Sequence, residues 1–191
     1  MNKKFNTAVI FAGGKSSRMG KDKALLPFKG YATLAEYQYN KLSKLFNKVY
    51  ISAKSNKFNF DINIIEDCYK TSSPLVGLVS IFETIDTDEI FVLSVDAPFV
   101  DNSIIEKLYS NALSSKDIIV ALSPNGLEPL CAIYRKTILP IAKKFLKEDN
   151  HRLYSLINSL NSQFIEFNSK EHFINLNTPQ DYRDAFKRII I

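Results

Sequence analysis

The sequence predicts an α/β fold with a mainly parallel sheet and helices on both faces. Three observations point to it. Strand-like and helix-like patterns alternate along all 191 residues. Several strand patterns are continuous apolar runs, which mark strands buried on both faces. Loops after three of these strands carry glycine, acidic or proline residues, and in parallel sheets ligands gather beyond the carboxyl ends of the strands.

The elements follow in order. Residues 6–12 (NTAVIFA) form an apolar run, and a polar loop containing glycine covers 13–22. Thr33-x-x-Glu36 is a capping box, with Leu34, Tyr37, Leu42, Leu45 and Phe46 at helical spacing behind it. Strands are expected over 48–53 and 62–66. Ser73-Pro74 supplies an N-cap and a first-turn proline for a helix whose face carries Leu75, Leu78, Val79 and Phe82. Residues 90–95 (IFVLSV) are the cleanest buried strand and end on Asp96-Ala97-Pro98. Asp101 opens a helix with Ile104, Ile105 and Leu108 inward. Strands over 118–122 and 129–134 flank the turn residues Ser123-Pro124-Asn125-Gly126. Helices over 137–147 and 153–160 precede short strands over 164–167 and 173–176. Thr178-Pro179 caps a last helix with Tyr182, Ala185, Phe186 and Ile189 on its apolar face. No repeat, low-complexity tract or linker interrupts the series, so one domain over 1–191 is expected.

Composition excludes several classes. No apolar run approaches the roughly 20 residues that cross a bilayer, and no signal pattern follows the N-terminus, which points to the cytoplasm and away from a membrane. The net charge of +5 comes largely from scattered lysines such as Lys41, Lys44 and Lys48 on one predicted helix, read as a solvated face; without a basic stripe interleaved with aromatics, nucleic acid is not an expected partner. Cys68, Cys131, His151 and His172 form no metal-ligand spacing, and both thiols are expected to be reduced and partly buried.

The chemistry sits in the loops. Ala12-Gly13-Gly14-Lys15-Ser16-Ser17-Arg18-Met19-Gly20-Lys21-Asp22-Lys23 follows the first strand. Adjacent glycines let backbone N–H groups approach an anion. Arg18 offers a planar fork for phosphate oxygens and Lys23 a compact charge, so the loop suits a triphosphate. It is not a Walker A loop, because the glycine required five positions before Gly14 is Val9. A Gly-x-Gly-x-x-Gly dinucleotide fingerprint is also absent. Asp96 places a carboxylate where a buried strand opens, a position suited to Mg²⁺ shared with substrate phosphates. Glu66-Asp67 offers acceptors for a base or ribose.

This loop resembles the signature of the molybdenum cofactor guanylyltransferases, the MobA family. The likeness extends through Glu66-Asp67, Ser73–Gly77, Asp96–Pro98, Glu128–Tyr134 and Asn175–Pro179 in the family's order. It implies a Rossmann-like nucleotidyltransferase that moves GMP from GTP to molybdenum-bound molybdopterin, releasing pyrophosphate. Gly14 favours the guanylyl branch over cytidylyltransferases, which carry Ala-Ala-Gly there. By the resemblance, Ala12, Gly13 and Gly14 hold GTP through backbone, Lys23 meets its phosphates, Asp67 contacts the nucleoside and Asp96 binds Mg²⁺. Arg18 and Lys23 then neutralise charge in catalysis. Phe11, Ser52, Pro74, Leu75 and Gly77 stand in the same motifs and are further substrate-binding candidates. Asn175 and Asn177, expected on one side of a short strand, and Arg152 are candidates for the acceptor. Three departures stand out: Phe11 replaces a leucine, Ser52 an asparagine and Glu128 a frequent histidine. The implied partners are GTP and molybdopterin, with transient contacts to molybdoenzymes or their chaperones. Alternatives are a nucleotidyltransferase with another base or acceptor, such as a cytidylyltransferase or sugar-phosphate enzyme, and a non-catalytic nucleotide-binding module.

Overall fold

The computed structural model describes residues 3–14, 19–69 and 71–189. Seven strands form one sheet in the order β3-β2-β1-β4-β6-β5-β7. They are β1 (Phe5–Phe11), β2 (Phe46–Ala53), β3 (Asn63–Glu66), β4 (Glu89–Ser94), β5 (Ile118–Ser123), β6 (Gly126–Arg135) and β7 (Ser162–Glu166). Every pairing is parallel except those of β6, which runs antiparallel to both β4 and β5. The turn residues after Ser123 explain this: they fold β6 back on β5 as a hairpin. The helices are α1 (Leu34–Leu42), α2 (Pro74–Thr84), α3 (Asn102–Asn111), α4 (Leu139–Lys147), α5 (Leu153–Ser159) and α6 (Pro179–Ile189). None of the helices among the described residues is long and apolar enough to cross a membrane.

Burial on both faces follows from strand alternation. Ala8, Ile10, Phe91, Leu93, Ile119 and Ala121 join the core beneath α1, α3 and α6. Their neighbours Val9, Phe11, Ile90, Val92, Ile118 and Val120 join the core beneath α2, α4 and α5. The sheet is therefore a middle layer, and its C-terminal edge stays open at the β1/β4 junction, where strand order reverses.

Four expectations change. Leu45 and Phe46 do not extend α1: the helix ends at Leu42, and Phe46 opens β2. Lys48 lies on β2, not on the helix. Residues 173–176 are not a strand; a 3₁₀ turn, Glu171–Phe173, leads into irregular chain. Their apolar pattern serves burial instead, with Phe173 and Leu176 in the core. Cys68 is exposed, whereas Cys131 is buried as expected.

Gly77 shows why a glycine stands in α2. A Cβ there would lie 2.6 Å from Cε1 of Phe11 and 3.2 Å from Ser52 Oγ. The helix can approach β1 and β2 this closely only without a side chain. Gly77→Ala is expected to destabilise the fold by about 1–3 kcal/mol through overpacking, read as a lower urea midpoint with an unchanged slope. An unchanged midpoint would show that the Phe11 ring has room to yield.

Candidate active site

Two loops meet at the open edge. The first leaves β1 at Phe11 and returns at a 3₁₀ turn, Lys23–Leu25, whose N-cap Asp22 accepts from the Ala24 N–H. Gly14 sits at φ +140°, a conformation that side-chain-bearing residues rarely adopt. Arg18 lies outside the described residues. The second loop leaves β4 at Ser94 and carries Asp96. Backbone bonds tie both loops to the sheet: Ala12 N–H donates to Ser52 O at 2.9 Å, and Val95 N–H to Phe11 O at 3.0 Å.

At their junction Lys23 Nζ donates to Asp96 Oδ2 and to Asn177 Oδ1, each at 2.7 Å. Ser94 Oγ donates to the other Asp96 oxygen at 2.6 Å. Asn177 arrives by a different route from strand alternation. Leu176 N–H donates to Asp96 O at 2.8 Å, and Asp181 Oδ2 accepts from the N–H groups of Asn177 and Thr178. The start of α6 is thus stitched to the Asp96 loop.

Two side chains from α1 hold that loop from below. The fully buried Gln38 donates through Nε2 to Ser94 O and Val95 O, both at 3.3 Å, and to Ala97 O at 3.0 Å. Its Oε1 is buried without a hydrogen-bond partner among the described residues, so these three carbonyls fix the amide's orientation. Lys41 is no solvated lysine: it donates to Val100 O at 2.7 Å and to Pro98 O at 3.3 Å. Lys57 plays a similar part for the glycine loop, donating to Asp22 Oδ2 at 2.5 Å and Ala12 O at 3.1 Å. It ties together the points where that loop begins and ends.

Two cavities open beside these loops. The larger, about 690 Å³, is lined by Gly13, Gly14, Asp22, Lys54, Lys57 and Ser73 among others. The smaller, about 370 Å³, contains Asp96, Asn175, Glu128, Pro74 and a set of apolar side chains. His151 belongs to the walls of both. Its Nδ1 meets Ser73 Oγ at 2.9 Å and its Nε2 meets Asp149 Oδ1 at 3.1 Å. Sequence reading favoured Arg152, but Arg152 is exposed and lines neither cavity, while its neighbour His151 does. No spacing signal marked His151.

Other candidates are placed differently from expectation. Phe11, Ser52 and Leu75 are buried and line neither cavity; their side chains pack the interior, as does Gly77. Any substrate contact from these positions would have to come through backbone. Asp67 accepts from Ser72 Oγ at 3.2 Å, and burial raises its carboxyl pKa. It stands beside the larger cavity's Ser72 wall but is not part of the lining. Pro74 and Asn175 line the smaller cavity, as Gly13 and Gly14 line the larger.

A family model described as the MobA-like NTP transferase domain covers residues 8–164. The chain belongs to that family. It is 37% identical to the molybdenum cofactor guanylyltransferase of Campylobacter jejuni subsp. doylei, over 94% of each chain. It is 38% identical to that of Helicobacter pylori, over 93% of this chain and 90% of the other. The family fold is also seen in molybdopterin-guanine dinucleotide biosynthesis protein A from Archaeoglobus fulgidus. That structure superposes with a TM-score of 0.82 over 96% of this chain and 98% of its own, at 19% identity.

Proposed function

We propose that the chain transfers GMP from GTP to the phosphate of molybdenum-bound molybdopterin. The observation that carries this is the Lys23–Asp96–Asn177 cluster, whose Asp96 lines the largely apolar cavity and whose Lys23 directly follows Asp22 of the glycine-lined one. The relatives' shared activity supports guanine as the base and molybdopterin as the acceptor. An acceptor phosphate oxygen attacks the α-phosphorus. The bond from that phosphorus to the oxygen bridging the β-phosphorus breaks, and the electron pair leaves with pyrophosphate. The attacking oxygen is already anionic, so no side chain needs to take a proton from it.

The chain's own work is positioning and charge neutralisation. The backbone at Gly13 and Gly14 meets the triphosphate, and Lys23 offers its ammonium beside Asp96. Arg18, by its place in the motif, adds a second positive charge. Asp67 is proposed to reach the nucleoside, with Phe11, Ser52, Leu75 and Gly77 supporting the nucleotide pocket from behind. Pro74, Asn175 and Arg152 are proposed for the acceptor side.

A divalent cation fits the cluster. Asp96 Oδ2 and Asn177 Oδ1 already converge on one cationic atom, and hard oxygen donors of this kind suit Mg²⁺. No three His, Cys, Asp or Glu side chains gather as a ligand set among the described residues, so substrate phosphates would complete the coordination. When bound, the ion would supply positive charge beside the phosphates.

Pyrophosphate release with each NTP and molybdopterin tests the reading. GTP is expected to be used at least tenfold better than CTP or ATP, a preference of about 1.4 kcal/mol. Equal use of CTP would remove the guanylyl assignment and leave a nucleotidyltransferase of broader choice. Release that does not depend on molybdopterin would remove the acceptor.

A further inference from the structure

The smaller cavity contains a carboxylate with no part in the phosphate chemistry. Glu128 lies on β6 where the hairpin register breaks: Val120 pairs with Ala132, but Ala121 pairs with Glu128. Pro129, Leu130 and Cys131 form the excess on the β6 side. The break is pinned by Tyr134, whose hydroxyl donates to Pro129 O at 2.8 Å. Cys131 still pairs with Leu93 of β4, the strand that leads to Asp96. Glu128 and Asp96 therefore reach the same cavity from adjacent strands.

One Glu128 oxygen, Oε1, accepts from Ser123 Oγ at 2.8 Å. The surrounding walls are mostly apolar, with Val100, Leu130, Leu153, Tyr154 and Phe173 among them. Burial raises the carboxyl pKa, partly offset by the Ser123 bond. N–H donors facing the carboxylate would stabilise its charged form in such a place.

We propose that Glu128 recognises the aminopyrimidinone edge of the acceptor's pterin, taking hydrogen bonds from the C2 amino group and N3–H while the apolar walls cover the ring faces. The inference rests on the molybdopterin reading above and extends it to the residue that selects the heterocycle. Two parallel N–H···O⁻ bonds give both affinity and orientation. Orientation matters because the acceptor's phosphate must point toward Asp96 and Lys23. Guanine carries a similar edge, but the glycine loop and lysines that suit a triphosphate line the other cavity.

Pterin and lumazine, which has a carbonyl in place of the C2 amino group, discriminate the two arrangements. Each is titrated by fluorescence into protein held in saturating GTP. Wild type is expected to bind pterin about tenfold or more tightly than lumazine, because a carbonyl facing the carboxylate repels it and leaves a bond unmade. Glu128→Gln and Glu128→Ala should lose that preference while keeping the wild-type melting temperature. In the transfer assay both should raise KM for molybdopterin and leave KM for GTP unchanged. Equal or absent binding of the two heterocycles by wild type would overturn the proposal, as would an unchanged preference in the variants. Loss of pterin binding when GTP is added would also overturn it, by assigning the edge contact to the nucleotide. If wild type makes no dinucleotide from molybdopterin, the proposed function fails, yet the pterin–lumazine comparison still decides the role of Glu128.

Discussion

Asp96→Asn is expected to lower pyrophosphate release at least a hundredfold, about 3 kcal/mol of transition-state stabilisation, with little change in melting temperature. The reasoning starts from what holds the residue. Its loop is fixed by Gln38 through three backbone carbonyls and by the Leu176 N–H on the Asp96 carbonyl, and none of these bonds involves the carboxylate. An isosteric amide can therefore occupy the same place. What it loses is charge. Lys23 loses an anionic partner, and the amide oxygen that replaces Asp96 Oδ2 is a poor ligand for Mg²⁺. The Asp96 side chain retains 18% exposure, so losing this charge pair costs less than it would deep in a core. Measuring rate across a Mg²⁺ titration separates the two losses. A variant that recovers at high Mg²⁺ has lost metal affinity; one that stays slow has lost the geometry of Lys23. Wild-type rates at limiting Mg²⁺ would remove Asp96 from the machinery.

Local patterns made much of this site legible. Residues 8–11 of β1 and 90–93 of β4 are continuously apolar because both faces are covered, and their loops carried the glycines, Lys23 and Asp96 in plain view. Caps at Thr33, Ser73 and Asp101 located three helix starts, since each side chain accepts from an N–H the helix leaves unpaired. Long-range relations stayed hidden. Nothing in residues 173–177 distinguishes a short strand from irregular chain whose Phe173 and Leu176 are buried for other reasons. Gln38 and Lys41 read as the polar positions of an amphipathic helix, because their partners are carbonyls far along the chain, on the Asp96 loop. Lys57 carries no sequence signal of its role, because Asp22 and Ala12 converge on it only in the fold. The antiparallel β6 could have been anticipated from the turn at 123–126, since a short hairpin leaves the next strand no way to run parallel.

Lys23→Met should reduce kcat/KM for GTP by about a hundredfold or more, in the range seen when one preorganised donor to a developing charge is removed. Methionine keeps much of the stem's volume and removes only the ammonium, so the 3₁₀ turn and its Asp22 cap should survive. The effect should exceed that of Asn177→Ala. Asn177 contributes one neutral oxygen, whereas Lys23 sets the position of both Asp96 and Asn177. Lys23→Arg should restore little. The two acceptors converge on a single nitrogen at 2.7 Å, a geometry that suits a compact ammonium, and a planar guanidinium would spread them apart. The decisive measurement is the double variant Lys23→Met with Asp96→Asn. If carboxylate and ammonium work as one unit, removing either already loses most of the benefit, and the combined loss should fall far short of the product of the two single losses. Losses that multiply would mean the two residues act on different parts of the reaction. The 2.7 Å contact would then be a resting pair that parts when GTP binds, and the unit would have to be sought in the nucleotide-bound enzyme.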